Sequence, residues 1–308
     1  MRIIFYIIVF LMAFQAGACK RHPENVQVVD FENTSETQNR NNYNKTGKNL
    51  KVAVSAILSP KETYDSYEQV FRYISEKLDR NIEFIQRKTY QEINVMLENG
   101  VLDFAFICSG AYIELNREKG VELLVIPVSN DKPLYQAYII VPANSDAENF
   151  EDLKNRTFAY TDPISNTGHL YALNRINELN EDREGFFAST IFTHGHDISI
   201  QMVAKGLVEG ATIDGLVFDY LKTKEPERVK DVKVIEISQY FGIPPVVVTN
   251  RLDKDNQQQI REIFLHIHED PVARELINSL LIDRFIEGKD EDYNSIRQMK
   301  AQLEDFAR

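Results

Sequence analysis

The chain has 308 residues, more than one hydrophobic core usually organises, so two domains or lobes are the first expectation. Hydrophobic residues make up 43% of it, which is enough to bury such cores. The formal net charge of -12 argues against a nucleic-acid-binding surface, because phosphate backbones are bound by clustered Lys and Arg.

The N-terminal residues predict an export signal. Arg2 precedes the twelve apolar residues 3–14, and "QAGAC" follows. Twelve residues span roughly 18 Å as a helix, less than the roughly 30 Å hydrocarbon layer of a bilayer. "AGAC" resembles a bacterial lipobox, although the same sequence also suits the ordinary signal peptidase. We therefore expect a signal peptide over residues 1–18 and lipidation of Cys19, the first residue after the cut.

The next segment, residues 19–48, is rich in Asn, Thr, Glu and Gln and has no periodicity, which predicts a disordered, lipid-anchored tether. With Cys19 lipidated, Cys108 has no partner for a disulfide. It lies in the apolar run "LDFAFICSG", which favours a buried, inert thiol over a nucleophile.

From residue 49 onward, strands alternate with helices. The first half predicts, in order, the strand "LKVAVSAI", a helix over residues 64–78, the strand "IEFIQR", the helix "YQEINVMLENG", the strand "LDFAFIC", a helix over 111–119, and the strands "VELLVIPV" and "QAYIIVP". The near-continuous apolar runs are typical of strands buried on both faces of a parallel sheet.

The second half repeats this alternation. It predicts a short helix in "NFEDLKNR", the strand "TFAYT", a helix from His169 to Leu179, the strand "ASTIFTHG", the helix "DISIQMVAKGLVEG", the strands "TIDGLVFD", "KVIEIS" and "IPPVVVTNRL", and helical segments at the end. The order fits two α/β lobes with the chain crossing twice. We expect residues 49–141 and 243–308 in lobe 1 and residues 142–242 in lobe 2.

The stretch "YTDPISNTGHLYALNRI" places small polar residues in front of a helix. Asp162 sets a turn, Ser165 and Thr167 supply hydroxyls, and Gly168 lets a backbone approach a ligand. A helix N-terminus has unpaired N–H groups, so this arrangement can bind an anion. Plain capping of the helix by Ser165 is the alternative.

Motifs of the common enzyme classes do not occur. The sequence contains no Gly-Lys-Ser/Thr phosphate loop, no "GxSxG" and no "HExxH". His266 and His268 point in different directions on an apparent helix, and His194 and His196 lack a third ligand at metal-binding spacing. We expect no metal, no cofactor and no enzymatic activity.

Four blocks of sequence together resemble a known family. "YEQVFRYISEKL", "GVLDFAFICSGAYIEL", "FEDLKNRTFAYTDPISNTGHL" and "GHDISIQMVAKGLVEGATIDGLVFDYL" resemble the phosphate/phosphite/phosphonate-binding proteins of ABC transporters, over residues 52–221. The resemblance implies a type II periplasmic-binding-protein fold of class α/β. In that fold two lobes, each a mostly parallel sheet flanked by helices, are joined by two crossover strands and close on a ligand.

The same resemblance implies a set of ligand-binding residues: Tyr67, Tyr112, Ser165, Asn166, Thr167, Gly168, His196 and Asp214. Asn166 departs from the family, which has Thr at this place in the cradle. Each residue has a structural alternative. Tyr67 and Tyr112 could be aromatic residues of a helix face, His196 a polar residue at a strand end, and Asp214 a loop cap.

By resemblance, the expected function is capture of a small phosphorus oxyanion, a phosphonate, phosphite or phosphate, for an ABC permease. The protein would be a monomeric, membrane-anchored lipoprotein of the periplasm or cell surface that does not bind nucleic acid. An ionised Asp214 cannot donate a hydrogen bond, so it predicts a protonated oxygen or an ammonium group on the ligand. A sensory module for a membrane histidine kinase, or a binding protein for another small solute, are the alternatives.

Overall fold

The computed structural model describes residues 49–55, 59–115 and 117–306, so the predicted signal peptide and the whole predicted tether, including Cys19, lie outside them. In chain order the strands are β1 (Leu50–Val54), β2 (Ile82–Ile85), β3 (Phe104–Phe106), β4 (Val121–Val128), β5 (Leu134–Tyr135), β6 (Ala137–Pro142), β7 (Thr157–Tyr160), β8 (Ser189–Phe192), β9 (Gly210–Asp214), β10 (Val232–Ile237), β11 (Phe241–Gly242), β12 (Val246–Thr249) and β13 (Arg284–Ile286).

Helices connect most of these strands. They are α1 (Pro60–Lys77), α2 (Tyr90–Glu98), α3 (Ser109–Glu114), α4 (Tyr171–Glu178), α5 (His196–Ala204), α6 (Gly215–Lys224), α7 (Lys254–His266), α8 (Pro271–Ser279) and α9 (Asn294–Phe306). Among the residues that the structure describes, no helix is both long enough and apolar enough to cross a bilayer.

The first sheet has the order β13-β4-β12-β3-β1-β2. Strand β1 is parallel to β2 and β3, whereas β12 is antiparallel to both β3 and β4. Strand β13 is antiparallel to β4. Hence β1 to β4 all run in one direction, and β12 is inserted among them in the opposite direction.

The second sheet has the order β10-β6-β9-β7-β8. Strand β7 is parallel to β8 and β9, while β6 is antiparallel to both β9 and β10. The chain enters this sheet through β5 and β6 and returns to the first sheet through β11 and β12, and β5 pairs with β11 on the way. The predicted two-lobed α/β architecture with two crossover strands is confirmed, and the residue limits of the lobes stay a prediction.

Two predicted elements differ in type from those of the structure. "TIDGLVFD" is not one strand, because β9 ends at Asp214 and α6 begins at the next residue. The Asp214 side chain accepts a hydrogen bond from the backbone N–H of Leu216 at 2.8 Å, which caps the helix and starts it there. The second error is β13, which lies inside the segment predicted to be helical and pairs with β4.

Each sheet packs against its own aromatic cluster. In the first, Phe106 contacts Phe264 and Phe285 with ring centroids 5.7 and 6.1 Å apart. In the second, Phe158 stacks on Phe187 with centroids 4.1 Å apart. Such pairs add about 0.5–1.5 kcal/mol each beyond the area that they bury. The two sheets thus have distinct aromatic clusters, while one continuous core cluster contains residues of both sheets, such as Ala105 and Phe158.

Candidate functional site

Ser165 begins a helical turn of unusual width. The turn spans Asn166–Leu170 and is of the π type, because the N–H of Leu170 donates to the carbonyl of Ser165 at 3.0 Å. The Ser165 hydroxyl accepts from the N–H of Gly168 at 3.0 Å, so the capping role weighed from the sequence is present. Turns of this kind occur frequently at functional sites.

Two polar atoms of this turn are buried and have no hydrogen-bond partner among the described residues: Oδ1 of Asn166 and Oγ1 of Thr167. Their neighbours are satisfied. Asn166 Nδ2 donates to the hydroxyl of Tyr135 at 3.1 Å, and the carbonyl of Thr167 accepts from Thr212 Oγ1 at 2.5 Å. Leaving such an atom unpaired costs about 1–3 kcal/mol, so unpaired buried atoms are typical of places where a ligand supplies the partner.

His196 is buried beside the turn as the first residue of α5. Its Nδ1 accepts from the backbone N–H of Asp214 at 3.0 Å and lies 3.1 Å from the hydroxyl of Thr161. Burial lowers the pKa of His196 to about 3, so the ring is neutral near pH 7. Because Nδ1 accepts, the single proton is on Nε2, which lies 3.5 Å from the hydroxyl of Tyr90.

Gly168 is needed for this close packing. A Cβ at this position would lie 2.6 Å from Cβ of Thr161 and 2.9 Å from Cε1 of His196. Real Cβ atoms do not approach so closely, so any larger residue would push the turn away from the imidazole. The predicted cradle residues and His196 therefore form one contiguous cluster.

Asp214 joins this cluster through its backbone and has its side chain at the N-terminus of α6. Capping, the structural alternative for Asp214, is thus present. Burial raises the pKa of this carboxyl to about 7. Near neutral pH its protonated form is well populated and can donate a hydrogen bond. In the sequence analysis Asp214 was taken as ionised, and therefore as an acceptor only.

Tyr67 and Asp214 both line a cavity of about 100 Å³. Burial raises the pKa of the Tyr67 hydroxyl above its ordinary value, and the nearby Asp214 charge adds to this. The walls are mostly apolar and come from both lobes and the crossover between them: Val54, Phe106, Pro127, Leu216, Val217, Ile243, Pro244, Leu280, Leu281 and Ile282. Thr63, Ser129 and Tyr220 also line the cavity.

Tyr112 packs against the C-terminal segment of the chain. Its hydroxyl donates to Oδ1 of Asp290 at 2.9 Å, and its ring packs on Tyr293 with centroids 4.6 Å apart. Its surroundings are those of an aromatic residue packed on the C-terminal segment, which was its structural alternative.

Tyr90, which the sequence argument did not single out, is in the cluster instead. It is fully buried, its hydroxyl faces His196, and its backbone N–H donates to Oδ2 of Asp162 at 3.1 Å. One signal was available, because Tyr90 starts the helix that follows the carboxyl end of β2. Ligands of open α/β sheets bind outside the carboxyl ends of the strands.

Cys108 lies against the turn, with its Sγ 3.8 Å from Oγ of Ser165. Burial raises the pKa of the thiol, although the N–H groups of Asn166 and Gly110 oppose this effect. A raised pKa keeps the neutral thiol, which is a weak nucleophile. Within the described ranges, no group of three or more His, Cys, Asp or Glu side chains could hold a metal ion.

Comparison with known proteins places this cluster in context. The family model described as "ABC transporter, phosphonate, periplasmic substrate-binding protein" matches residues 52–293. The phosphonates-binding periplasmic protein of Escherichia coli K12 is 27% identical over 189 residues, which are 60% of this chain and 56% of that protein. A phosphate-import protein of Mycolicibacterium smegmatis is 28% identical over 178 residues, which are 54% of each chain. The chain thus spans about half the length of the curated relatives that it matches.

A solved structure shows the same fold. The binding-protein component of an ABC phosphonate transporter from Pseudomonas aeruginosa superposes with a TM-score of 0.79 at 20% identity, covering 84% of this chain and 87% of that one. At this identity the likeness concerns the fold, which is the type II periplasmic-binding-protein fold.

Proposed function

The chain belongs to the family of periplasmic substrate-binding proteins of ABC phosphonate transporters, and we propose that it captures a small phosphorus oxyanion for a membrane permease. The ligand class is a phosphonate, phosphite or phosphate. The observation that carries the proposal is the turn at Ser165, where the Thr167 hydroxyl and the Asn166 amide oxygen are buried and have no partner within the described part of the chain. A tetrahedral oxyanion can satisfy both atoms if one of its oxygens carries a proton.

The residues divide the task between them. The Thr167 hydroxyl and the N–H groups at the start of the turn donate to the anion, which the helix dipole also favours. Neutral His196 donates from Nε2, in the tautomer that the Asp214 N–H holds in place. The Asp214 carboxyl accepts from a protonated oxygen or an ammonium group, or donates when it is itself protonated. Tyr67, which belongs to the other lobe, is a further ligand-binding residue.

Closure of two lobes on the ligand is part of this proposal. Hydrogen bonds that join the two lobes support it: Tyr90 N–H to Asp162 at 3.1 Å and Ser59 N–H to Asp197 at 2.8 Å. A rigid lobe that swings away breaks such polar contacts and leaves both aromatic clusters intact, which is typical of hinge closure.

The location is proposed from the N-terminal sequence and the family. The signal peptide over residues 1–18 exports the chain, lipid on Cys19 anchors it outside the cytoplasm, and the tether lets a monomeric binding domain reach the permease. Cys19→Ser should move the protein from the membrane fraction to the soluble fraction and abolish labelling by a fatty-acid analogue, with ligand affinity unchanged. Continued labelling of Cys19→Ser would refute the anchor.

Titration calorimetry tests the ligand class. The exported Cys19→Ser chain is titrated with methylphosphonate, 2-aminoethylphosphonate, phosphite, phosphate and, as a non-phosphorus control, sulfate. We expect at least one phosphorus compound to bind more tightly than sulfate, and His196→Ala to weaken that binding. Binding of an amino acid or sugar, with no heat from any phosphorus oxyanion, would overturn the proposal.

A further inference from the structure

The C-terminal end of α8 has an unusual residue in its cap. After Ser279 the chain forms a Schellman motif, in which the N–H of Ile282 donates to the carbonyl of Ile277 at 3.0 Å. The N–H of Leu281 donates to the carbonyl of Asn278 at 3.1 Å. The motif places Leu281 in the left-handed region of the backbone, with φ at 58°. A side chain crowds the backbone there, so glycine is usual at this position and asparagine is tolerated.

Four other helices in the described part of the chain end in the same motif. Helices α1, α2, α4 and α5 show the same pair of backbone hydrogen bonds. Their left-handed residues are Asp79, Gly100, Asn180 and Gly206, which are of the types that this conformation accepts. Among the described residues, only Leu281 combines an apolar side chain with a positive φ. The fold therefore keeps a strained leucine where a Gly, Asn or Asp would relieve the backbone.

The side chain of Leu281 does not serve the core of the first sheet. Its neighbours Leu280 and Ile282 pack into the apolar cluster of that sheet, whereas Leu281 belongs to none of the core clusters that the described residues form. Leu281 instead lines the cavity that Leu216 and Val217 of α6 also line. Helix α6 follows β9 of the second sheet, while the loop at Leu281 leads into β13 of the first. The half-buried leucine thus lies where the two lobes meet.

We propose that Leu281 is a positioning residue for lobe closure, whose side chain is held towards α6 and favours the closed arrangement of the lobes. This rests on the proposed function, in which the lobes close on the ligand. Backbone strain of this kind clusters at functional sites and persists where the surrounding structure enforces it. The strain lowers the stability of the fold at all times, whereas the apolar contact with α6 is gained only on closure. Leu281 then acts on ligand affinity through closure and not through contact with the oxyanion.

Two substitutions separate the strain from the apolar contact. Leu281→Asn relieves the backbone and removes the apolar side chain, whereas Leu281→Met keeps both. In the exported Cys19→Ser chain, Leu281→Asn should bind methylphosphonate and phosphate about 5- to 20-fold more weakly in calorimetry, the loss expected when about half of a leucine side chain is no longer buried. Without ligand it should melt at the same temperature or up to about 4 °C higher, because the left-handed strain is relieved. Leu281→Met should bind and melt like wild type.

Asn180 provides the matched control. It occupies the same position of the same motif at the end of α4, is exposed, and lies outside the cavity lining. Asn180→Leu should lower the melting temperature and leave ligand affinity unchanged, because it adds the strain without the contact. If Asn180→Leu melts like wild type, a leucine at this position costs nothing and the proposal loses its basis. Leu281→Gly repeats the main test should Leu281→Asn fold poorly.

The proposed function and the role of Leu281 fail differently. If Leu281→Asn binds both probes as tightly as wild type, the proposed function stands and the role of Leu281 is wrong. If its affinity and its stability without ligand both fall, Leu281 is an ordinary packing residue and the proposal is likewise wrong. If wild type binds no phosphorus oxyanion, the proposed function fails, and small-angle scattering without ligand decides on Leu281. Leu281→Asn should then have a larger radius of gyration than wild type, and equal radii would overturn the proposal.

Discussion

Thr167 is the residue at which stability without ligand and the proposed role in ligand binding conflict most clearly. Its hydroxyl is buried and has no partner among the residues that the structure describes, which lowers the stability of the protein, yet the surrounding turn holds it in place. Thr167→Val removes the hydroxyl and keeps the shape. We expect ligand affinity to fall about 10- to 100-fold, the loss of a hydrogen bond to a charged group, while the free energy of unfolding without ligand stays the same or rises. Calorimetry and urea unfolding measure the two quantities.

Thr212→Val is the matched control. The Thr212 hydroxyl is equally buried but donates to the carbonyl of Thr167 at 2.5 Å. The same chemical change should therefore lower the free energy of unfolding by about 1 kcal/mol or more, because it also leaves that carbonyl without its partner. If both variants lose stability equally, Thr167 has a partner in solution and the argument for a ligand atom there is lost.

Asp214 predicts an unusual dependence of stability on pH. Its folded-state pKa of about 7 lies above the ordinary value of 3.8, so between these values the folded protein binds more protons than the unfolded chain. The contribution of Asp214 is therefore most favourable below about pH 4 and is lost as pH rises towards 7. The free energy of unfolding of Asp214→Asn, relative to that of wild type, should therefore rise between pH 4.5 and 7.5 by up to a few kcal/mol. Above pH 7.5 this difference should stay constant.

His196 is the reason to compare the variant with wild type. Its pKa is lowered to about 3, so its contribution has the opposite sign and is lost as pH falls below 6.5. In wild type the two effects partly cancel, and only the difference between Asp214→Asn and wild type isolates the carboxyl. A difference that is constant with pH in chemical-denaturation curves would show that Asp214 titrates normally.

Whether a residue of the candidate site could be predicted from the sequence depended on whether it belongs to a local sequence motif. The polar motif from Ser165 to Gly168 in front of a helix was visible in the local sequence, whereas His196 and Asp214 were candidates only through the family resemblance and their contact was not predicted. The sequence did not show which of Tyr112 and Tyr90 lies beside His196, because both are aromatic residues near a helix start. What distinguishes them is tertiary packing, since Asp290 pairs with one and His196 faces the other across 106 residues of sequence.

At the scale of elements, the start of α3 meets the turn at Ser165 without a gap. A Cβ on Gly110 would lie 2.3 Å from the carbonyl oxygen of Ile164 and 2.6 Å from the backbone nitrogen of Asn166. Both are backbone atoms of the other lobe and cannot move aside cheaply. Gly110→Ala should therefore hold the lobes apart and lower ligand affinity at least about tenfold. Small-angle scattering should show no compaction with ligand.

The stability of Gly110→Ala separates this effect from misfolding. Alanine is favoured over glycine in a helix by about 1 kcal/mol, so in an open, unliganded molecule the variant should melt at the same temperature or higher. Gly185→Ala is the control, since its Cβ would meet only the Asp182 side chain, at 3.1 Å. Normal affinity in Gly110→Ala would mean that the lobes do not close as described.

Elements were predicted well where the apolar pattern extends over many residues, and poorly where a capping residue sets the end of the element. The strands from β1 to β4 and helices α1 and α2 follow their apolar patterns. The end of β9 does not, because "TIDGLVFD" has apolar residues on both sides of Asp214 and only the Asp214 cap turns the chain into α6. Strand β13 has three residues and is fixed by its pairing with β4, a contact some 160 residues apart that no local pattern contains.

At the scale of the whole molecule, the proposed closure involves polar contacts between the lobes. Oδ1 of Asp197 accepts from the backbone N–H of Ser59, and its Oδ2 lies 3.4 Å from Arg228. Asp197→Ala removes the bond between lobes without touching either aromatic cluster. The closed state then becomes less favourable by about 1.5–3 kcal/mol, so we expect ligand affinity to fall about 10- to 100-fold, chiefly through faster dissociation.

Asp253→Ala provides the comparison for this last change. Asp253 also accepts a backbone N–H, that of Asn256 at 2.9 Å, but the bond caps α7 inside one lobe. Its loss should lower the free energy of unfolding by about 1 kcal/mol and leave ligand affinity unchanged. Asp197→Ala should show the reverse order of effects in stopped-flow dissociation and in urea unfolding. If ligand dissociates from Asp197→Ala and from wild type at equal rates, the bond between Ser59 and Asp197 does not stabilise a closed state. The affinity for ligand would then have to arise within one lobe.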